Sequence, residues 1–132
     1  MPGLYNDLVM DHFLHPRRVG ELAEANAVHT AENPACGDTL QLQLRIEGGR
    51  ISDARFRALG CTAAIATSSF LADWVVGKSM EEAQALTNEA LAAAMGGLPR
   101  GRVHCSVLAE EALAGCLKDY ASRPRDPSSG RP

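Results

Sequence analysis

The sequence predicts a single mixed domain in which an antiparallel β-hairpin is followed by a series of helices. Three observations predict it: apolar residues occupy every second position from Thr39, the alternation resumes after Gly48-Gly49, and the flanking stretches carry helical spacing or helix start and stop signals. A chain of 132 residues, 45% hydrophobic and 22% charged, supplies one modest core, which argues against a second domain.

Tyr5 to His15 places Tyr5, Leu8, Val9, His12 and Phe13 at helical spacing, and Pro16 closes the run as a short amphipathic helix. From Thr39, Leu40, Leu42, Leu44 and Ile46 share one face while Gln41, Gln43 and Arg45 share the other, which describes a strand with one wet face. After the Gly48-Gly49 turn, Ala54, Phe56 and Ala58 alternate with Arg55 and Arg57 as the second strand, ended by Gly60. A helix is expected from Thr62 to Val76, with Ile65, Ala72 and Val76 along its buried stripe and Gly77 as its stop. Ser79-Met80-Glu81-Glu82 reads as a capping box opening another short helix. Thr87 to Met95 is a third helix, closed by Gly96-Gly97, and the last runs from about Cys105 to Tyr120. Residues 122–132, rich in Pro, Ser, Gly and charge, are expected to form a disordered tail behind a domain of residues 1–121.

Composition excludes some functions. A formal charge of -3, a pI near 5.8 and only 5% aromatic residues leave neither a basic face for phosphates nor material for base stacking, so no nucleic-acid partner is expected. Met1 to Leu14 contains Asp7, Asp11 and His12, and no apolar run suits a secretory signal or a membrane span. The expected location is the cytoplasm, where four cysteines are thiols or metal ligands rather than a disulfide framework.

Cys36 lies in the turn Asn33-Pro34-Ala35-Cys36-Gly37-Asp38, which exposes its thiol. Cys61 sits between Gly60 and a helix start, where unpaired backbone N–H groups and the helix dipole favour negative charge, and Cys105 repeats that placement at the last helix. Separations of 25 and 44 residues match no compact zinc-finger spacing, so the three meet only if the fold brings them together. Asp38 and His104, beside Cys36 and Cys105, offer a further oxygen and imidazole; their plainer readings are a turn cap and a surface histidine. Cys116, eleven residues beyond Cys105, points within about 20° of it but lies roughly 16 Å along the axis. It falls in the stripe of Leu108, Ala109, Ala112, Leu113 and Tyr120, so core packing is the better reading. His12, His15 and His29 read as surface or helix-end residues.

Three motifs in order, Asn33-Pro34-Ala35-Cys36-Gly37-Asp38, Gly60-Cys61-Thr62-Ala63-Ala64-Ile65-Ala66-Thr67-Ser68-Ser69 and His104-Cys105-Ser106-Val107-Leu108-Ala109, resemble the IscU/NifU-type iron-sulfur scaffold family. Tyr5 to Arg17 and Trp74 to Ser79 also resemble it. The resemblance implies an α+β fold, a small three-stranded antiparallel sheet packed against about five helices, with the metal site at one end. The extra strand would lie around Ala27 to Glu32. It further implies that Cys36, Cys61 and Cys105 hold a transient [2Fe-2S] cluster, one of them also accepting sulfur, with His104 or Asp38 completing the site.

The implied partners are a cysteine desulfurase, a ferredoxin or iron donor, and apo iron-sulfur acceptor proteins, with Fe2+ as a substrate and no turnover chemistry of the chain's own. Two departures stand out. Leu98-Pro99-Arg100-Gly101-Arg102 keeps only the first two residues of the family's Leu-Pro-Pro-Val-Lys segment, which counts against chaperone-assisted release, and Thr62 replaces a usual Gly. His104 matches the IscU pattern, whereas the SufU type carries Lys there and an insertion ahead of it. One rival is a Zn2+-binding sulfur relay or structural zinc module, because Cys₃His or Cys₂AspHis ligation suits zinc equally well. Another is a thiol enzyme with Cys105 as nucleophile and His104 as base, which lacks an evident third orienting group.

Overall fold

A computed structural model describes residues 6–34, 37–98 and 104–123. In chain order the elements are α1 (Asp7–Leu14), β1 (Ala27–Asn33), β2 (Asp38–Glu47), β3 (Arg50–Leu59), α2 (Thr62–Val75), α3 (Met80–Ala85), α4 (Asn88–Ala94) and α5 (His104–Ser122). The expected tail start, Ser122, closes α5, and residues 124–132 lie outside the described residues.

The strands pair antiparallel in the order β1-β2-β3. Gly48 and Gly49 take φ of 58° and 79°, the pair of left-handed residues that a two-residue hairpin turn needs to match strand twist. One face carries the expected alternation: Leu40, Leu42, Leu44, Ile46, Ile51, Ala54 and Phe56 are buried. A register shift at Arg45/Ile46, where Ser52 is the extra residue, lets both Ile46 and Ile51 turn inward. α2 and α5 cover this apolar face, and α1 packs on α2.

The other face is half covered. Gly20 N–H donates to Phe56 O (3.0 Å) and Phe56 N–H to Arg18 O (2.9 Å), so the segment after α1 runs along β3 before crossing to the far end of β2. There Leu22 N–H donates to Gln43 Oε1 (2.8 Å), and Asn26 exchanges two 2.8 Å bonds with the backbone of Ile46. Gln43, expected on the wet face, is buried for that reason.

The caps follow sequence chemistry. Asn6 Oδ1 accepts from Val9 N–H and its amide donates to Met95 O (both 2.9 Å), tying the start of α1 to the end of α4. Ser79 and Glu82 make the reciprocal capping box at 2.9 and 3.0 Å, and Thr87 caps α4. The stripe expected on α2 is corrected: Ile65 and Val76 are half-buried, whereas Ala63, Ala64, Ala66, Thr67, Ser68, Ser69, Leu71, Ala72 and Val75 are buried. The sheet, α1 and α5 all pack against this helix, so its small residues, which let neighbours approach closely, are interior almost all round.

His12 is a second correction. It is 5% exposed, its Nδ1 lies 2.8 Å from Ser69 Oγ, and its ring meets Phe70 edge-on with centroids 5.4 Å apart. Ser69 Oγ also accepts the Arg17 backbone N–H at 2.8 Å. His15 and His29 are exposed, as expected. Burial, helped by the positive charge of Arg17, lowers the pKa of His12 from its ordinary 6.5. The folded chain therefore prefers neutral His12, and its contribution is complete above about pH 6.5 and lost as pH falls through the lowered folded value. We expect the urea midpoint to decline between about pH 7.5 and about pH 5.5, less steeply in a His12→Gln variant; parallel curves would remove His12 as the cause.

Candidate metal centre

The start of β2, the end of β3 and the N-termini of α2 and α5 meet at one end of the molecule. Asp38 is the first residue of β2, Cys61 the N-cap of α2, and His104 and Cys105 the first two residues of α5. Cys61 makes no capping bond with its side chain, which leaves the sulfur available.

The ligand atoms of Asp38, Cys61 and Cys105 all lie within 4.8 Å of one another. The two sulfurs are 3.8 Å apart, and Asp38 Oδ2 is 3.9 Å from each of them. Two sulfurs each about 2.3 Å from one tetrahedral ion sit roughly 3.8 Å apart, so the thiol pair has the spacing that a shared metal requires. His104 Nε2 lies 3.5 Å from the same Asp38 oxygen and, although the atom is buried, makes no hydrogen bond among the described residues. A buried imidazole nitrogen without a hydrogen bond, 3.5 Å from that carboxylate, can reach the site as a further ligand, although it stands outside the group of ligand atoms that Asp38, Cys61 and Cys105 form.

Asp38 and Cys105 are buried while Cys61 and His104 are half-buried, so the cluster opens on the Cys61–His104 side. Ala63, Ala64 and Leu98 pack around the two cysteines. Cys36, the remaining expected site residue, lies outside the described residues, as do positions 99–103, which include most of the altered Leu98 to Arg102 segment.

Cys116 belongs to the core, as its helical phase predicts. It is fully buried and its thiol donates to Leu42 O at 3.1 Å; burial pushes its pKa up to about 12. Asp38, read in sequence as a loop residue, opens a strand and is 4% exposed. It packs against Gly60, which sequence reasoning treated only as the end of a strand: a Cβ at Gly60 would collide with Asp38 Oδ1. No signal in the sequence pairs those two positions.

Residues 4–126 match the family described as NifU-like N terminal domain. The iron-sulfur cluster assembly scaffold protein IscU 1 of Archaeoglobus fulgidus is 45% identical over 117 residues, covering 89% of this chain and 76% of that one. Its namesake IscU in Escherichia coli is 42% identical over 124 residues, covering 90% and 95%. A crystal structure of the N-terminal part of a NifU-like protein from Brucella abortus superposes with a TM-score of 0.75 at 24% identity, over 92% of this chain and 96% of that one, which supports the fold. With the family match spanning the whole described region and relatives above 40% identity, the chain belongs to the NifU-like N-terminal domain family and is of the IscU type.

Proposed function

We propose that this chain is a scaffold on which a [2Fe-2S] cluster is assembled from ferrous iron and desulfurase-derived sulfur and then passed to apo-proteins. The observation that carries the proposal is the pair of sulfurs 3.8 Å apart, flanked equally by one oxygen of Asp38, in a chain of IscU type. Cys36 is the sulfur acceptor in this reading: its thiolate attacks the outer sulfur of a desulfurase persulfide and releases the desulfurase thiolate. Two electrons from a ferredoxin-type donor reduce that sulfur to sulfide. Cys36, Cys61 and Cys105 hold the iron, with His104 or Asp38 as the remaining ligand.

Three thiolates and one harder ligand hold iron less completely than four thiolates, and a carboxylate is protonated or displaced more easily than a thiolate. Asp38 thus suits a site that must give up its cargo. The chain turns over no substrate of its own in this scheme, and its partners are the desulfurase, the electron or iron donor and the acceptor proteins.

Anaerobic reconstitution with ferrous iron, cysteine and a cysteine desulfurase tests the proposal. Wild-type chain should gain acid-labile sulfide and visible charge-transfer bands and pass both to an apo-ferredoxin, whereas Asp38→Ala should transfer more slowly, on the order of tenfold. Unchanged transfer with unchanged occupancy would remove Asp38 from the mechanism. A wild-type chain that keeps tightly bound Zn2+ and never accumulates sulfide would replace the scaffold by a zinc module or sulfur relay.

A further inference from the structure

The two oxygens of Asp38 face different surroundings. Oδ2 is turned to the site, 3.9 Å from both sulfurs and 3.5 Å from His104 Nε2. Oδ1 lies against Gly60. Leu59, the last residue of β3, pairs with Thr39, so Gly60 comes opposite Asp38, with a φ of +153°. A Cβ built on Gly60 collides with Oδ1, reaches 2.8 Å from Asp38 Cγ and stands 3.1 Å from Ala64 Cβ.

A buried carboxylate cannot yield to such a methyl group by moving into solvent. It must change rotamer or tilt, and either motion carries Oδ2 off its position 3.9 Å from both sulfurs. Ala64, in the first turn of α2, would also be pressed by that methyl group, its Cβ standing 3.1 Å away.

We propose that Gly60 is a positioning residue of the metal centre: its missing side chain is the space that holds Asp38 with one oxygen turned on Cys61 and Cys105. The proposal rests on the reading of Asp38, Cys61 and Cys105 as ligands. The effect on the metal ligands runs through Asp38, which separates this role from the general need for a small residue at a positive φ beside Ala64. Backbone strain from a side chain at position 60 is the same whether or not Asp38 keeps its carboxylate; the collision is not.

The test is a double-mutant cycle on the reduced, metal-free full chain, comparing wild type, Gly60→Ala, Asp38→Ala and the double variant, with Cys61→Ala alongside. Co2+ is titrated anaerobically and followed by its thiolate charge-transfer and d–d bands, with circular dichroism and thermal melting on the same samples. Gly60→Ala and Asp38→Ala should each weaken Co2+ binding on the order of tenfold, and the double variant should bind no more weakly than Asp38→Ala. Wild-type affinity in Gly60→Ala, or a double variant whose loss is the product of the single losses, would overturn the proposal. If Gly60→Ala alone fails to fold, a folded double variant supports the collision, and a double variant that also fails to fold overturns it. Wild-type Co2+ affinity in both Asp38→Ala and Cys61→Ala would instead remove the ligand reading itself, whatever Gly60 does.

Discussion

Cluster accumulation is expected to disappear when Cys61 and Cys105 are both replaced by alanine. Acid-labile sulfide after anaerobic reconstitution should fall to background, because of the proposed ligands only the Cys36 thiolate, Asp38 and His104 remain, and one thiolate with two harder donors holds iron-sulfur species far more weakly than three thiolates do. The fold should survive. Cys105 packs among Ala63, Ala64 and Leu98, where alanine fills most of the same space, so a cost of about 1 kcal/mol per buried sulfur is expected. That corresponds to a melting shift of roughly 4 °C per kcal/mol for a chain of this length, well short of unfolding at room temperature. Sulfide retained at half the wild-type level or more would place the cluster elsewhere.

Phe56→Ala should have the largest effect on stability. Phe56 is 2% exposed, pairs with Leu42 across the sheet and bonds through its backbone to Arg18 and Gly20, so its ring closes the layer between sheet and helices where little can collapse into a void. A loss of about 3–5 kcal/mol is expected, a large share of the roughly 5–15 kcal/mol that a domain possesses. Urea unfolding at fixed pH measures it. Leu59→Ser on the same strand, 72% exposed, serves as the control and should change stability by about 0.5 kcal/mol or less. Equal losses in the two variants would mean that this sheet does not anchor the core.

Much of this organisation was legible in the sequence because local chemistry decided it. The hairpin follows from period two and Gly48-Gly49, the capping box from Ser79 and Glu82, and the core place of Cys116 from its helical phase. β1 left no period of its own: its burial is confined to Ala27 and Ala31, since the strand lies at a sheet edge. Resemblance alone foretold it. The stripe of α2 was misjudged because three neighbours bury it, and periodicity registers only a helix with one dry side. His12 was misplaced for a related reason: its partners, Ser69 and the Arg17 backbone N–H bound to the same hydroxyl, are supplied by tertiary packing and by a turn. At the candidate metal centre the junction positions of Cys61 and Cys105 were readable, but their meeting across 44 residues and the burial of Asp38 were consequences of strand register.

The lacing of β3 has a further consequence, for behaviour at high concentration. Its outer hydrogen-bonding groups are taken by Arg18 and Gly20 at Phe56 and by Gly77 and Lys78 at Ile51, and the turn before it is held by Met80 N–H at Gly49 O. Across the sheet, Val28 N–H on β1 is held by Asp119 Oδ2 at 2.9 Å. A strand arriving from another molecule finds those positions filled, so the sheet offers a poor template for edge-to-edge polymerisation. The molecule can therefore present its thiol-bearing end to one client after another without its own β-structure seeding aggregates.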